Sequence, residues 1–198
     1  MDATSTASKK DYYRALYEVA RTVNSTLSLP LVLNLIAEGT ARAMDAKACS
    51  LRLLSPDRGR LEIGAVYGLS VAYVAKGPVE VSKSQMDAEA LGGKPVMVFD
   101  AREDPRLQYP NEVVREGIIS ILVVPIKVKD VSIGVMRVYT AQRRDFSPAD
   151  IEFVEAVASL GGIAIDNART YEALEAQFES IRREKIPWAE NFRKPSWR

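Results

Sequence analysis

The stretch from Val131 to Leu174 limits what this chain can fold into more than any other. Val131–Thr140 is a β pattern, and Phe146-Ser147-Pro148-Ala149-Asp150 soon after it is a concentrated helix start. Ser147 is placed to cap, Pro148 fits the first helical position, where no backbone N–H is needed, and Asp150 fits the acidic partner of a capping box. Apolar or small residues then recur at spacings of three and four through Val154, Val157, Gly161, Ala164, Ala168 and Tyr171, and the stripe resumes at Phe178 and Ile181. The helix predicted from Pro148 to about Lys185 is roughly 55 Å long at ~1.5 Å per residue. A small domain is only about 30 Å across, so part of this helix is expected to leave it and offer an apolar stripe to a partner.

The remainder reads as what this strand and helix pack against. Residues 1–10 are small and polar and are expected to be disordered. Asp11–Leu27 predicts an amphipathic helix, with Leu16 and Val23 on its apolar side. Ser28-Leu29-Pro30 opens a second helix that ends near Asp45. Ala48–Leu54 and Leu61–Tyr67 flank the turn residues Ser55–Gly59 and predict a β-hairpin. Short helices are predicted at Ser84–Leu91 and Glu112–Glu116, the second capped by Asn111, and strands at Pro95–Phe99, Ile118–Val128 and Val131–Thr140. Pro125 has no backbone donor, which predicts an edge position or a bulge. Strands grouped between terminal helices predict an α+β fold with an antiparallel sheet.

Composition excludes several function classes. Histidine is absent. That removes His-based acid–base catalysis, Ser-His-Asp and Cys-His nucleophiles, and His-ligated metals or haem. The only cysteine is Cys49, so no internal disulfide can form, and a cytoplasmic setting is expected. Cys49 is either a small buried residue or, in a lesser alternative, the nucleophile of a thiol enzyme. A net charge of +1 argues against nucleic-acid binding, and no apolar run is long enough for a membrane span. Asp100, Glu103 and Asp104 form an acidic loop, but Arg102 and Arg106 interleave it, so a solvated loop is expected rather than a metal site. No cofactor is expected. Met86 and Met97 read as core filling.

Four segments in order resemble the GAF domain family, the PAS-like sensory module. They are the hairpin over 50–69 ending in Gly68-Leu69; Gly93-Lys94-Pro95 through Asp100; Gly117-Ile118-Ile119-Ser120 through Pro125-Ile126; and Ile133-Gly134-Val135-Met136 with the helix start and Ala164-Ile165-Asp166-Asn167-Ala168-Arg169. The resemblance covers about Leu29 to Tyr171. It implies a central sheet of five to six strands, terminal helices on one face, and short helices and loops over a pocket on the other. The sequence lacks the Asn-Lys…Phe…Asp-Glu motif of cyclic-nucleotide-binding members, the later Cys of bilin-binding members, and the several cysteines of the free methionine sulfoxide reductases of this fold.

The resemblance also makes the first and last long strands neighbours. Strand alternation then sends Leu51, Leu53, Met136 and Val138 to one face and Ser50, Arg52, Arg137 and Tyr139 to the other. Arg52 and Arg137 either form a site for a carboxylate or phosphate, or pair with a local acid such as Glu62, or snorkel to water. Tyr67, Tyr109 and Asn111 are further candidate pocket residues. The expected organisation is a disordered 1–10, an amphipathic helix over 11–28, the GAF domain over 29–170, a helical extension over 171–186 and a basic tail over 187–198 holding Trp188 and Trp197. The expected dimer seam uses Leu16, Val23, Val154, Val157, Gly161, Ala164, Ala168, Tyr171 and Phe178. The function this implies is a non-enzymatic, homodimeric sensory protein that binds a small ligand, an anion being one candidate, and signals to a separate partner; the alternatives are a dimerisation scaffold with an empty pocket and, below it, the thiol enzyme using Cys49.

Overall fold

A computed structural model describes residues 3–25 and 28–185. The tail with Trp188 and Trp197, and Leu27 at the expected end of the first helix, lie outside the described residues. Helix α1 (Ala3–Ser25) and helix α2 (Leu29–Ala43) come first. They are followed by strands β1 (Ala48–Leu54) and β2 (Arg60–Tyr67), helix α3 (Val71–Val74), strand β3 (Val79–Glu80), a 3-10 turn at Val81–Lys83, helix α4 (Gln85–Leu91), strand β4 (Val96–Val98) and helix α5 (Pro110–Glu116). Strands β5 (Ser120–Val128) and β6 (Val131–Thr140) lead into helix α6 (Pro148–Lys185). Helix α1 starts earlier than expected: residues 3–10 hold neither Gly nor Pro, so nothing in them breaks a helix running back from Asp11.

Among the described residues the six strands form one antiparallel sheet in the order β3-β2-β1-β6-β5-β4. β5 and β6 join through Lys129 and Asp130, both at positive φ (48° and 65°), as a two-residue hairpin turn with right-handed strand twist requires. β5 is not an edge strand. β4 covers it only from Ile121 to Val123, so Pro125 lies beyond that pairing, and a register shift follows at Ile126/Lys127.

α1, α2 and α6 cover one face of the sheet. Their core contains Leu33, Ile36, Leu51, Leu122, Met136, Val138, Phe153, Val154 and Val157, all nearly or wholly buried. Each such side chain contributes about 1.5–3 kcal/mol of hydrophobic stabilisation. A Cβ at Gly162 would meet the Lys127 carbonyl at 2.1 Å, so only glycine lets α6 lie this close to β5. The start of α6 is the capping box expected: Asp150 N donates to Ser147 Oγ (3.2 Å) and Ser147 N to Asp150 Oδ2 (2.9 Å). Tyr12 of α1 stacks on Phe153 with ring centroids 4.2 Å apart and donates a hydrogen bond to Asp150.

This packing corrects the expected dimer seam. Val154, Val157, Gly161 and Ala164 are buried in the protomer's own core, and Leu16 and Val23 pack there too. The first half of α6 spends its apolar stripe on the sheet and α2. Ala168 is half-buried, while Tyr171 and Phe178, 45% and 69% exposed, are free for another surface. Leu174 and Ile181 join them.

Candidate functional site

The opposite face of the sheet is roofed by α3, the 3-10 turn, α4 and α5. Two stretches of its floor come from β1 and β6, where Ser50 lies across from Arg137 and Arg52 from Val135. Beside Arg52, β2 carries a bulge: Leu51 pairs with Ala65 and Arg52 with Ile63, leaving Gly64 as the extra residue. As the alternation predicts, Cys49, Leu51, Met136 and Val138 enter the helix-covered core, while Tyr139 joins the second core with Tyr73, Val79, Met86 and Leu107.

Arg137 is paired, and its partner is Asp87 of α4 rather than the exposed Glu62. Arg137 Nε donates to Asp87 Oδ1 at 2.9 Å, its Nη2 donates to Oδ2, and Ser84 Oγ donates to the same carboxylate. Both members of the ion pair are buried. Burial disfavours the guanidinium charge, but the Asp87 carboxylate outweighs it and the Arg137 pKa is raised.

Arg52 has no such partner. It is fully buried, and its Nε, Nη1 and Nη2 make no hydrogen bond. The Tyr139 hydroxyl is the polar group that approaches the guanidinium and favours its charge, but it lies outside hydrogen-bond geometry with the Arg52 nitrogens and bonds Ser50 Oγ at 2.9 Å instead. Burial, then the neighbouring Arg137, lowers the Arg52 pKa. A buried ion without hydrogen bonds costs several kcal/mol, and among the described residues this guanidinium alone has buried side-chain nitrogens left without a partner.

Lys76, just beyond α3, adds a third cation. Its Nζ lies 3.3 Å from the centroid of the Tyr73 ring and 5.1 Å from that of Tyr109. Desolvation, with Arg137 and Arg52 nearby, pushes its pKa down to about 6. Tyr109 donates to the Pro78 carbonyl (3.0 Å), and Gln108 accepts from Glu80 N (2.8 Å), fastening the roof. The cleft between Tyr73, Lys76, Met86, Tyr109 and Arg137 holds only about 10 Å³, the space of about one water.

Two candidate residues lie elsewhere. Tyr67 pairs with Cys49, and cross-strand partners share a face, so its ring packs with the helix-covered core beneath Arg42. Asn111 is exposed in the first turn of α5; Tyr109 holds the cap position, because Pro110 already begins the helix. Sequence reasoning missed Asp87, Lys76 and Tyr73. Asp87 was readable: it lies on the same helical face as the apolar Ala90 and Leu91, an acid where a core-facing stripe is expected.

Other candidates resolve into structural roles. Asp100 accepts from Arg102 and Arg143, and those hydrogen bonds hold its pKa well below the usual carboxylate range. Asp104 is held by Arg106. Cys49 is fully buried, and burial raises its thiol pKa, which disfavours the nucleophilic thiolate. Met97, expected in the core, is 46% exposed on the short β4. Larger concavities of about 490 Å³ and 730 Å³ lie along α1/α2 and α2/α6. Both are open helix grooves in which, among the described residues, no buried side-chain polar atom lacks a partner, so the buried cation cleft remains the candidate site. No described helix is long and apolar enough to cross a membrane.

Three relatives place this geometry in context. A methyl sulfide methyltransferase-associated sensor from Methanosarcina acetivorans is 25% identical over 91% of this chain, which spans only 19% of that protein's length. The GAF domain of a phosphoenolpyruvate-protein phosphotransferase from Coxiella burnetii superposes with a TM-score of 0.74 at 21% identity, covering 83% of this chain and 98% of that domain. The corresponding Acinetobacter domain gives 0.69 at 24% identity, covering 86% and 97%. The sequence pattern of the GAF domain matches residues 26–166, most of the chain, and the chain therefore belongs to the GAF domain family.

Proposed function

We propose that this chain is a non-enzymatic sensory module of the cytoplasm that binds a small acidic ligand in the cleft at Arg52 and Arg137, dimerises through the free half of α6, and signals to a separate partner. The observation that carries the reading is Arg52: three buried nitrogens with no acceptor, beside a second arginine that already has its carboxylate. Planar paired donors suit a carboxylate or phosphate group. The sensor from Methanosarcina acetivorans supports the regulatory role. The buried, disfavoured Cys49 thiol supports a non-enzymatic one.

The dimer rests on Tyr171, Leu174, Phe178 and Ile181, exposed at spacings of three, four and three. That is the a/d repeat of a two-stranded coiled coil, a seam two copies of one helix satisfy mutually. A single-chain mass by light scattering at micromolar concentration would overturn this part. The segment from Arg144 to Asp150 links the two regions, since Arg144 contacts both the Met44 carbonyl and Asp150 between β6 and α6.

The test is thermal unfolding of the full chain with sulfate, phosphate, formate or acetate. An anion at about 100 times its Kd stabilises by about 2.7 kcal/mol, a rise of several degrees. Arg52→Met should remove the rise. The cleft's small free volume favours a second reading, a dimeric scaffold with a closed pocket, and no shift with any of the anions would select it.

A further inference from the structure

The anion reading leaves a charge imbalance in the cleft. Arg52, Lys76 and Arg137 influence one another electrostatically, and Asp87, committed to Arg137, is the one carboxylate buried among them within the described residues. Arginine does not deprotonate in proteins, whereas lysine readily does when buried. Of the three cations, only Lys76 can relieve the crowding by giving up its proton. Its position suits that role: the amine rests on the Tyr73 ring, with no carboxylate at ion-pair distance among the described residues, and lines the same cleft as Arg137.

We propose that Lys76 is the third anion-binding group of this site, and that a compact oxoanion enters together with one proton, which Lys76 takes up. The inference rests on the anion-site reading above. Crowding by the two guanidiniums favours release of the Lys76 proton, and an oxoanion beside Arg52 brings in the negative charge that makes the ammonium form favourable. The lowered pKa of Lys76 agrees, since burial, Arg137 and Arg52 all press in that direction. The groups facing Lys76 are Tyr73 of α3, Tyr109 before α5, Glu112 of α5, Asp87 of α4, Arg52 of β1 and Arg137 of β6. The chain has no histidine to complicate the neutral range. The ligand class is a compact oxoanion because the cleft lined by Lys76 and Arg137 leaves little free volume and because Arg52, close enough to Arg137 to feel its charge, has three donor nitrogens without a hydrogen bond.

Calorimetric titration of the full chain with sodium sulfate tests this, because sulfate keeps its charge across the neutral range and any proton taken up belongs to the protein. Affinity should fall about tenfold per pH unit above about pH 6 and level off below it. Near pH 8, titrations in buffers of different ionisation enthalpy should show about one proton taken up per sulfate. Lys76→Arg, which cannot deprotonate, should make the affinity independent of pH in that range; Lys76→Met should give weak binding with no pH slope. Sulfate binding without proton uptake, or the same slope in Lys76→Arg, would overturn the role of Lys76 while leaving the anion site intact. Absence of sulfate and formate binding at every pH would overturn both.

Discussion

Along β1, Cys49 and Leu51 enter the helix-covered core while their neighbours Ser50 and Arg52 are buried on the opposite, cleft-bearing face; along β6, Met136 and Val138 separate from Arg137 and Tyr139 in the same way. The helix-covered face of these strands is apolar and meets helices that fill it. The cleft face buries two guanidiniums and a carboxylate at a desolvation cost of several kcal/mol per ion, and leaves one guanidinium without hydrogen bonds. The contrast teaches where stability is made in this domain and where it is given up. Four adjacent residues on one strand serve both ends, because strand alternation lets a cleft be lined without disturbing the core behind it.

The sharpest way to break this contrast is Asp87→Ala. It removes the carboxylate from a fully buried Arg137, and the expected loss is about 3–5 kcal/mol in urea unfolding. A loss below about 1 kcal/mol would mean that water reaches Arg137 freely, and the two faces would then not differ in the way described.

Adjacent residues 51 and 52 should respond with opposite signs. Leu51→Ala opens a cavity in the helix-covered core and should cost about 2–5 kcal/mol. Arg52→Met replaces an unpartnered buried charge with an apolar chain of similar length and should stabilise by about 1–4 kcal/mol. Parallel urea titrations measure both. If Arg52→Met destabilises as Leu51→Ala does, Arg52 has a satisfying partner in solution and the case for an absent anion weakens.

The fold was legible because its signals are local. The capping residues Ser147 and Asp150, the period-two pattern of β6 and the turn residues between β1 and β2 each act through neighbours a few positions away. The facing of Ser50, Arg52, Arg137 and Tyr139 followed from alternation once β1 and β6 were adjacent. Tyr67 was misplaced for the same kind of reason: the bulge at Gly64 shifts register by one residue, and a one-residue slip exchanges faces. The ion pair to Asp87 spans fifty residues and depends on how α4 lies over the sheet, which no local pattern encodes. The seam was misjudged because one apolar stripe runs along α6 past the point where the domain ends. Periodicity identifies a buried face but not whether it meets its own chain or another.

Among the described residues the helix-covered side holds one buried acid, and it sharpens the comparison because it is fully served. Asp150 accepts from the Tyr12 hydroxyl, from Arg144 Nη2 at 2.9 Å and from Ser147 N at 2.9 Å. Burial works against its charge, but these hydrogen bonds prevail and its pKa is lowered. A carboxyl whose folded pKa is depressed contributes stability that is fully present above its unfolded value of about 3.9 and is lost as pH falls through the folded value. Tyr12→Phe keeps the stack on Phe153 and removes one donor, so at neutral pH it should cost about 1.5–3 kcal/mol. It should also bring the folded pKa of Asp150 back up, so the gap between wild type and variant should narrow below about pH 4. Urea unfolding at neutral and acid pH measures both values. A gap that stays constant would mean that Tyr12 stabilises through its ring alone, and α1 would then be held to α6 by the same apolar packing as the rest of that face.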